Sequence, residues 1–509
     1  MAFGTMTSRV LGQLRESLLA AYFDKRITDA WSAAFRLPNM FRRLLGEGSL
    51  SVSFIPVFVE SRLDNQFRAQ NLVNSIYTFL LMVLGVLTTL GVLYPEPLLN
   101  LILDSNYILD TEKYLLTLRL TKIMFGFIFF ISSYAFMMGI LNALGQFALP
   151  AVAPTLWNLA MIAFTIAPQG WFPVVGDQLG WGVLIGGVLQ AAILIPALSK
   201  AGYFPRFSLD FRNADFQRVL RNMLPGMLGM GLLQFTTIIN LHFSSSLTEG
   251  TISYINYVDR LIELPLSLIS VSLGTALLPM LSGLFSRNDK TKMSAEAQKY
   301  LELNLLLSMS AAAGLYVLAQ PIIQLLFGRG RFHLADVVLT AQILKTYCWI
   351  MIFSSAVRVL TPAYYAVKNT WFPAVISAIC LLTHVILAPR LMANYQVYGL
   401  MISTTISAAL NLTLLLFFFP RFVANFHYFS FFKNTMTFTL LATVTGITAS
   451  IFYFLEPIFN WGITALILNL ILSIGLAVSA FIILGKILKV HAITQVLDRV
   501  QSRLFKIQK

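Results

Sequence analysis

Residues 72–94 read LVNSIYTFLLMVLGVLTTLGVLY, a run without one charged side chain. A helix needs about 20 apolar residues to cross the ~30 Å hydrocarbon core of a bilayer, and this run supplies them. The pattern recurs along the chain. Between Lys122 and Lys200 the only charge is Asp177, and Pro and Gly clusters divide that stretch into three spans. Further uncharged or nearly uncharged runs lie at 223–241, 264–285, 303–327, 346–357, 370–389, 398–419, 436–455 and 461–485. Two more segments, 5–23 and 28–60, are apolar but carry charges. The sequence therefore reads as an all-α polytopic membrane protein with about fourteen transmembrane helices.

Composition agrees. Of 509 residues, 57% are hydrophobic and 11% charged, against about 25% charged in soluble domains. Mean hydropathy is +0.75. A soluble enzyme and a disordered chain are both excluded. The net charge of +14 does not point to nucleic acid, because the basic residues fall in short stretches between apolar runs. Lys200, Arg206, Arg212, Arg218 and Arg221 follow the sixth span; Arg287, Lys290, Lys292 and Lys299 follow the eighth; Lys486, Lys489, Arg499, Arg503 and Lys506 follow the fourteenth. Loops after odd-numbered spans lean acidic, with Glu96, Asp104, Asp110, Asp177, Glu249 and Glu456; Arg329 and Arg331 are the exception. The positive-inside rule then predicts cytoplasmic termini and contact with anionic membrane lipids. Cys348 and Cys380 lie in apolar runs and, with five scattered histidines, suggest neither a disulfide framework nor a metal site. No cleaved signal peptide is expected, since Arg9, Arg15 and Glu16 interrupt the first apolar stretch.

An internal repeat is visible. Phe54-Ile55-Pro56-Val57-Phe58 resembles Leu277-Leu278-Pro279-Met280-Leu281, and Pro150-Ala151-Val152 recurs as Pro373-Ala374-Val375, with Ala143 matching Ala366; every pair is 223 residues apart. That offset fits six spans per half. The expected organisation is an N-terminal lobe over 1–215 (spans one to six), a C-terminal lobe over 216–425 (spans seven to twelve), and 426–509 for spans thirteen and fourteen with a basic tail. Paired bundles of this kind are a transporter plan.

Ionisable groups inside spans are costly and usually face a cavity. Here they concentrate in three spans: Arg9, Arg15 and Glu16 in span one; Asp29, Arg36, Arg42, Arg43 and Glu47 in span two; Asp259, Arg260 and Glu263 in span eight. At about 100° per residue, Asp29, Arg36, Arg43 and Glu47 share one stripe, while Arg9 and Arg15 lie about 120° apart unless the helix bends, for which Gly12 is available. Arg42 and Arg43 can also be read as snorkelling interfacial residues, and Asp259-Arg260 as a local ion pair. Taken together, arginines outnumber acids in the first half. Excess guanidinium in a dry cavity calls for an anion, and its fork matches phosphate oxygens. The residues thus imply a carrier for an anionic, phosphorylated substrate. Pro38-Asn39, Pro225-Gly226 and Pro265 are expected kinks, and His384 a hydrogen-bonded interior histidine. Gly328-Arg329-Gly330-Arg331 is not a phosphate loop, because no strand precedes it and no Lys-Ser/Thr follows. No nucleophile–base pattern and no metal spacing appear, so neither an enzyme nor a metal cofactor is expected.

At these residues the sequence resembles the MurJ (MviN) lipid II flippases of the multidrug/oligosaccharidyl-lipid/polysaccharide exporter superfamily. The resemblance rests on Ser8-Arg9-Val10-Leu11-Gly12 with Arg15-Glu16, then Thr28-Asp29-Ala30, Arg36-Leu37-Pro38-Asn39, Arg42-Arg43, Glu47-Gly48 and Ser53-Phe54-Ile55-Pro56-Val57. Gly139-Ile140-Leu141-Asn142-Ala143, Ala153-Pro154-Thr155, Asn158, Asp259-Arg260, Glu263-Leu264-Pro265 and Phe327–Phe332 support it. It implies two six-helix lobes plus two helices. It also implies movement of lipid II, the undecaprenyl-diphosphate-linked peptidoglycan precursor, to the outer leaflet of the bacterial cytoplasmic membrane by alternating access. By the same resemblance, Arg9, Arg15, Arg42 and Arg260 hold the diphosphate. Asp29, Arg43, Glu47, Asp259 and Glu263 are then the further cavity and gating groups, and the last two helices form a groove for the lipid tail. Lipid II, membrane lipids and the cell-wall synthesis machinery are the implied partners. Coupling to the membrane potential is expected. The family's sodium ligands in spans seven and eleven are poorly matched, with Asn240 and His384 near those places, which argues against sodium. Rival readings are a flippase for another undecaprenyl-diphosphate oligosaccharide and a cation-coupled multidrug antiporter, whose cationic cargo an arginine-rich cavity would repel.

Overall fold

The computed structural model describes residues 2–44, 49–455, 462–490 and 493–494, with side-chain detail beginning at residue 6 and omitting 49–52, 224–233 and 271. Among these residues no strand occurs. Nine helices are long and apolar enough to cross a membrane, and the pair Leu334–Tyr347 and Ile350–Ala366, bent by 44°, makes a tenth. The helix Trp371–Phe422 is two spans, broken at Gln396 with φ 49° and ψ −127°. The charge-bearing helices Ala2–Tyr22, Lys25–Phe41 and Ala214–Ser245 bring the total to fourteen. A backbone in lipid must satisfy its own hydrogen bonds, which makes helices the only open-chain solution.

The spans, in order, are one (Ala2–Tyr22), two (Lys25–Phe41, continued by Ser49–Asp64), three (Gln66–Leu93), four (Thr111–Ala143), five (Ala148–Ile166), six (Asp177–Ala192 with Ile195–Lys200) and seven (Ala214–Ser245). Span eight runs Thr251–Leu266, a π-turn at Ser267–Val271, and Ser272–Ser286; span nine is Lys290–Val317; span ten is the bent pair. Spans eleven and twelve share Trp371–Phe422, thirteen is Tyr428–Ala449 and fourteen Ile463–Ile487.

The repeat is written into the backbone. Span four ends at Ala143 and span ten at Ala366. Gly145 and Lys368 then both take positive φ, 78° and 62°. The hydrogen bonds match: Gly145 N to Asn142 O and Gln146 N to Leu141 O in one turn, Lys368 N to Tyr365 O and Asn369 N to Tyr364 O in the other. These are helix C-terminal caps that satisfy orphan carbonyls. The next helices begin at Ala148 and Trp371, each with its proline at the third position. Spans three and nine are both 28 residues long. The 223-residue offset therefore relates structure as well as text.

Packing divides the chain into two units: Met1–Ser253 with Arg329–Phe332, and Tyr254–Gly328 with His333–Lys509. In the first unit, spans four, five and six meet closely through glycine. A Cβ on Gly186 would lie 2.6 Å from Trp157, one on Gly187 2.7 Å from Phe127, and one on Gly182 3.0 Å from Met161. In the second unit the corresponding helices meet through side chains instead: His384 Nδ1 lies 2.9 Å from Ser403 Oγ, and Ser407 Oγ donates to Cys380 O at 2.7 Å. His384 is buried and is the hydrogen-bonded interior histidine the sequence suggested.

Proline marks two irregular helix segments. Pro38 is followed by π-type turns at residues 42–44, and Pro265 by the π-turn Ser267–Val271. Proline lacks the N–H that an α-helix needs. A π-turn adds one residue to the helix, which rotates the segments on its two sides by about 100° relative to each other. Span seven, with Pro225, runs as one unbroken helix.

Candidate functional site

Span one presents its two arginines differently. Arg9 is exposed, whereas Arg15 and Glu16 are only 2% and 5% exposed. The Arg15 guanidinium donates through Nη1 to Asn158 Oδ1 at 3.0 Å and through Nη2 to Glu16 Oε1. Its Cζ lies 4.4 Å from the centroid of the Trp157 ring. Asn158 Nδ2 donates to Ser8 O at 3.0 Å and approaches Ser8 Oγ at 3.3 Å. Ser8, Gly12 and Arg15 stand at i, i+4 and i+7, one stripe of the helix. A Cβ on Gly12 would sit 3.8 Å from both Asn158 side-chain atoms. Span one is continuous, so Gly12 lets Asn158 approach and does not serve as the bend that would bring Arg9 round to Arg15. Phe35, Phe127 and Trp157 form an aromatic group behind the guanidinium, with centroid separations of 5.6, 6.1 and 6.2 Å. A cation over an indole gains up to about 2 kcal/mol when desolvated, which offsets part of the cost of burying it.

Asp29 belongs to a second cluster. It is 1% exposed and accepts from Lys113 Nζ at 3.0 Å, Gly250 N at 2.7 Å, Ser253 N at 2.9 Å and Ser253 Oγ at 2.8 Å. The backbone donors open the first turn of span eight, where a carboxylate complements the helix dipole. Lys113 Nζ also lies 4.5 Å from the Tyr107 ring. Asp29 is thus bound within protein and lines no open space, and the stripe it shares with Arg36 and Arg43 is not uniform in exposure: both arginines are half-buried. Arg42 is half-buried and donates to Asn39 Oδ1 at 3.0 Å. Glu47 lies outside the described residues.

Three further arginines form ion pairs that brace the same unit. Arg119 grips Asp177 with two bonds of 2.6 and 2.7 Å; Arg26 reaches Asp110 and Glu112; Arg331 Nη1 meets Asp24 at 3.1 Å. The Arg329–Phe332 segment seats itself on the end of span one, with Arg331 N donating to Ala21 O at 3.0 Å. Gly330 has φ 61°, and a Cβ there would be 2.2 Å from Ala21 O. This glycine motif is a close backbone contact.

In the second unit, Asp259 is half-buried while Arg260 and Glu263 are exposed. Below them a hydrogen-bond chain crosses three spans. Ser270 Oγ donates to Asn304 Oδ1 at 3.0 Å, Asn304 Nδ2 to Ser355 Oγ at 2.8 Å, and Ser355 Oγ to Ile352 O at 3.0 Å. All three side chains are at most 1% exposed. The chain ties the π-turn to spans nine and ten. Sequence reading found the arginines. It passed over Lys113, Trp157 and Asn304, and met Asn158 only as part of a resemblance; a polar residue on an apolar run was the available signal for Asn304.

A repeated bundle of fourteen spans, with arginines buried or exposed along spans one, two and eight, defines a membrane transporter rather than an enzyme. Similarity to known proteins specifies which. Residues 19–472 match the family model described as lipid II flippase MurJ. The chain is 54% identical over 418 residues to a probable lipid II flippase MurJ of Bdellovibrio bacteriovorus, covering 82% of this chain and 80% of that one. It is 35% identical over 427 residues to the lipid II flippase MurJ of Burkholderia cenocepacia, covering 81% of each. Among solved structures, a lipid II flippase MurJ in an inward closed conformation superposes with a TM-score of 0.80 at 24% identity, over 97% of this chain and 99% of that one. An inward-facing multidrug resistance MATE family transporter superposes with a TM-score of 0.68 at 12% identity, over 81% and 94%. The chain belongs to the MurJ lipid II flippase family.

Proposed function

We propose that this chain carries lipid II from the inner to the outer leaflet of the bacterial cytoplasmic membrane by alternating access, supplying peptidoglycan synthesis. The observation that carries the reading is the family match across residues 19–472. Arg9, Arg15, Arg42 and Arg260 neutralise the diphosphate, which hydrocarbon would otherwise reject. Arg43, Glu47, Asp259 and Glu263 shape the surrounding field, and Asp29 holds the first turn of span eight. The Lys/Arg bias of the loops supports cytoplasmic termini. An inside-negative potential of about 100 mV supplies about 2.3 kcal/mol per charge moved fully across, enough to bias the return of an empty cationic carrier; sodium is no part of this reading.

The test is replacement of the native flippase in a depleted bacterium, with outer-leaflet lipid II read by an external probe. The wild-type chain restores exposure and growth, whereas Arg15→Ala and Arg260→Ala insert normally and restore neither. Normal transport by both variants overturns the arginine assignment; a correctly inserted wild type that restores nothing overturns the flippase reading.

A further inference from the structure

A cleft of about 380 Å³ lies apart from the arginines, where the turn between spans four and five meets the end of span six. It is lined by Gln146, Leu149, Pro196, Ala197, Lys200 and Ala201. The repeat supplies an internal control. An offset of 223 carries Gln146, Leu149, Pro196 and Lys200 to Asn369, Phe372, Phe419 and Val423, and there the same corner is filled. The Phe372 ring packs on Phe422 and Phe418, with centroids 4.3 and 5.3 Å away. Phe419 and Val423 are buried, and Asn369 Oδ1 accepts from Phe372 N at 3.1 Å. In the first half Leu149 stands in place of the ring, and Lys200 and Gln146 are exposed. Among the described residues neither of those two side chains has a hydrogen-bond or ion-pair partner, and no carboxylate lines the cleft.

We propose that this cleft holds the headgroup of an anionic glycerophospholipid. The lipid comes from the leaflet at that end of the bundle, which the Lys/Arg bias of the loops assigns to the cytoplasm. Lys200 meets the phosphate, and the Gln146 carboxamide hydrogen-bonds to the headgroup oxygens. Leu149, Pro196 and Ala197 offer apolar surface to the glycerol and the first acyl carbons. A zwitterionic headgroup is disfavoured, because its ammonium would lie beside Lys200 with no carboxylate to answer it. Lipid II also carries phosphate, but the cleft is at the small end of ligand sites. It has room for a phosphoglycerol group and not for a peptidoglycan-precursor headgroup. The bound lipid does for the first half what Phe372 does for the second: it joins the turn to the helix end. This site does not rest on the flippase reading.

The experiment titrates phosphatidylglycerol, phosphatidylcholine and lipid II in turn onto the purified full-length protein in detergent. Native mass spectrometry resolves the bound species for wild type, Lys200→Gln, Lys200→Arg, Leu149→Phe and, as a control cation on the following loop, Arg212→Gln. Wild type is expected to retain one phosphatidylglycerol in preference to phosphatidylcholine. Lys200→Gln weakens that binding about fivefold, the worth of one lysine at an anionic surface, and Lys200→Arg keeps it. Leu149→Phe, which copies the plug of the second half, weakens it with every charge left in place. Arg212→Gln leaves it unchanged. Equal losses in Lys200→Gln and Arg212→Gln make the attraction a property of the whole basic loop and overturn the site. Unchanged affinity in both Lys200→Gln and Leu149→Phe overturns it as well. A matching loss of lipid II binding in Lys200→Gln gives the cleft to lipid II and overturns the phospholipid assignment.

Discussion

Spans four to six and spans ten to twelve occupy the same places in the two repeats, yet they are held together by different chemistry. Span four is one helix, Thr111–Ala143; span ten breaks by 44° between Tyr347 and Ile350. At the break, Met351 N and Ile352 N bond three residues back, to Cys348 O and Trp349 O, a tightened turn that redirects the axis. Trp349 stands where span four has Gly126, and in span four even a Cβ at that point would meet Leu184 at 3.0 Å. The His384–Ser403 bond likewise stands where the first half has Met161 and Gly180. In the first half spans four to six come together over glycine, and in the second spans eleven and twelve are joined by polar side-chain hydrogen bonds. Helix association in lipid has both routes available, since burial of apolar surface drives little there.

The largest effect expected from this contrast is at Gly186. Gly186→Leu drives a side chain into Trp157 and should cost about 1–3 kcal/mol or more, with weaker lipid II binding because Trp157 seats Arg15. Ala409→Leu, at the equivalent place in the second half, should cost less than Gly186→Leu. Thermal unfolding of the two variants in the same detergent checks this; equal losses would end the distinction between glycine-closed and side-chain-closed halves.

Ser403→Ala should come next. It strips a buried histidine of a partner at a typical cost of about 1–3 kcal/mol, whereas Gly180→Ala in the first half meets Ile123 and Leu120 at 3.2–3.3 Å, contacts that a few tenths of an ångström of side-chain movement relieve. Denaturation midpoints should rank the two in that order. Asn304→Leu sharpens the comparison on the functional side. If the Ser270–Asn304–Ser355 chain sets the direction of Arg260, lipid II affinity falls in the wild-type background and falls no further in Arg260→Ala; additive losses would reduce Asn304 to a packing residue.

The matched turns predict a smaller, signed effect. Gly145 and Lys368 share one left-handed conformation, which costs an ordinary side chain roughly 1–2 kcal/mol and glycine nothing. Lys368→Gly should therefore stabilise by up to about 1 kcal/mol, and Gly145→Ala destabilise by a similar amount, because no atom lies within 4 Å of the new Cβ and only the backbone objects. Calorimetric shifts of the same sign for both would contradict the equivalence of the turns.

The smallest effect concerns Asp215, ahead of the apolar part of span seven. Hydrogen bonds from Arg68 at 2.6 Å hold its carboxyl below the usual carboxylate range, with Ser61 helping. Its contribution is full above the unfolded-state value and is lost as pH falls through the lowered folded value. Arg68 is 40% exposed, so solvent screens the pair. Asp215→Asn should flatten the acid limb of the stability profile slightly and leave neutral-pH transport unchanged.

Much of this molecule was legible in one dimension. Runs such as 72–94 and 461–485 declare spans because transfer into hydrocarbon depends on local composition over about 20 residues. The two prolines at 150 and 373 declared a repeat, and matching helix caps stand just ahead of them. Span ten's bend and the π-turn after Pro265 were not legible, since a proline announces a lost bond but not how the helix recovers it.

By itself the sequence determined the number of crossings, the repeat, the family and which helices carry arginine. Only the tertiary structure decided what those charges meet. Arg15 finds Asn158 across 143 residues, and Asp29 finds Gly250 and Ser253 across more than 220. Hydropathy is a sum over neighbours along the chain and survives in a string of letters. A buried charge is settled by its few partners within hydrogen-bonding distance, and those are brought together only by the packing of helices far apart in sequence.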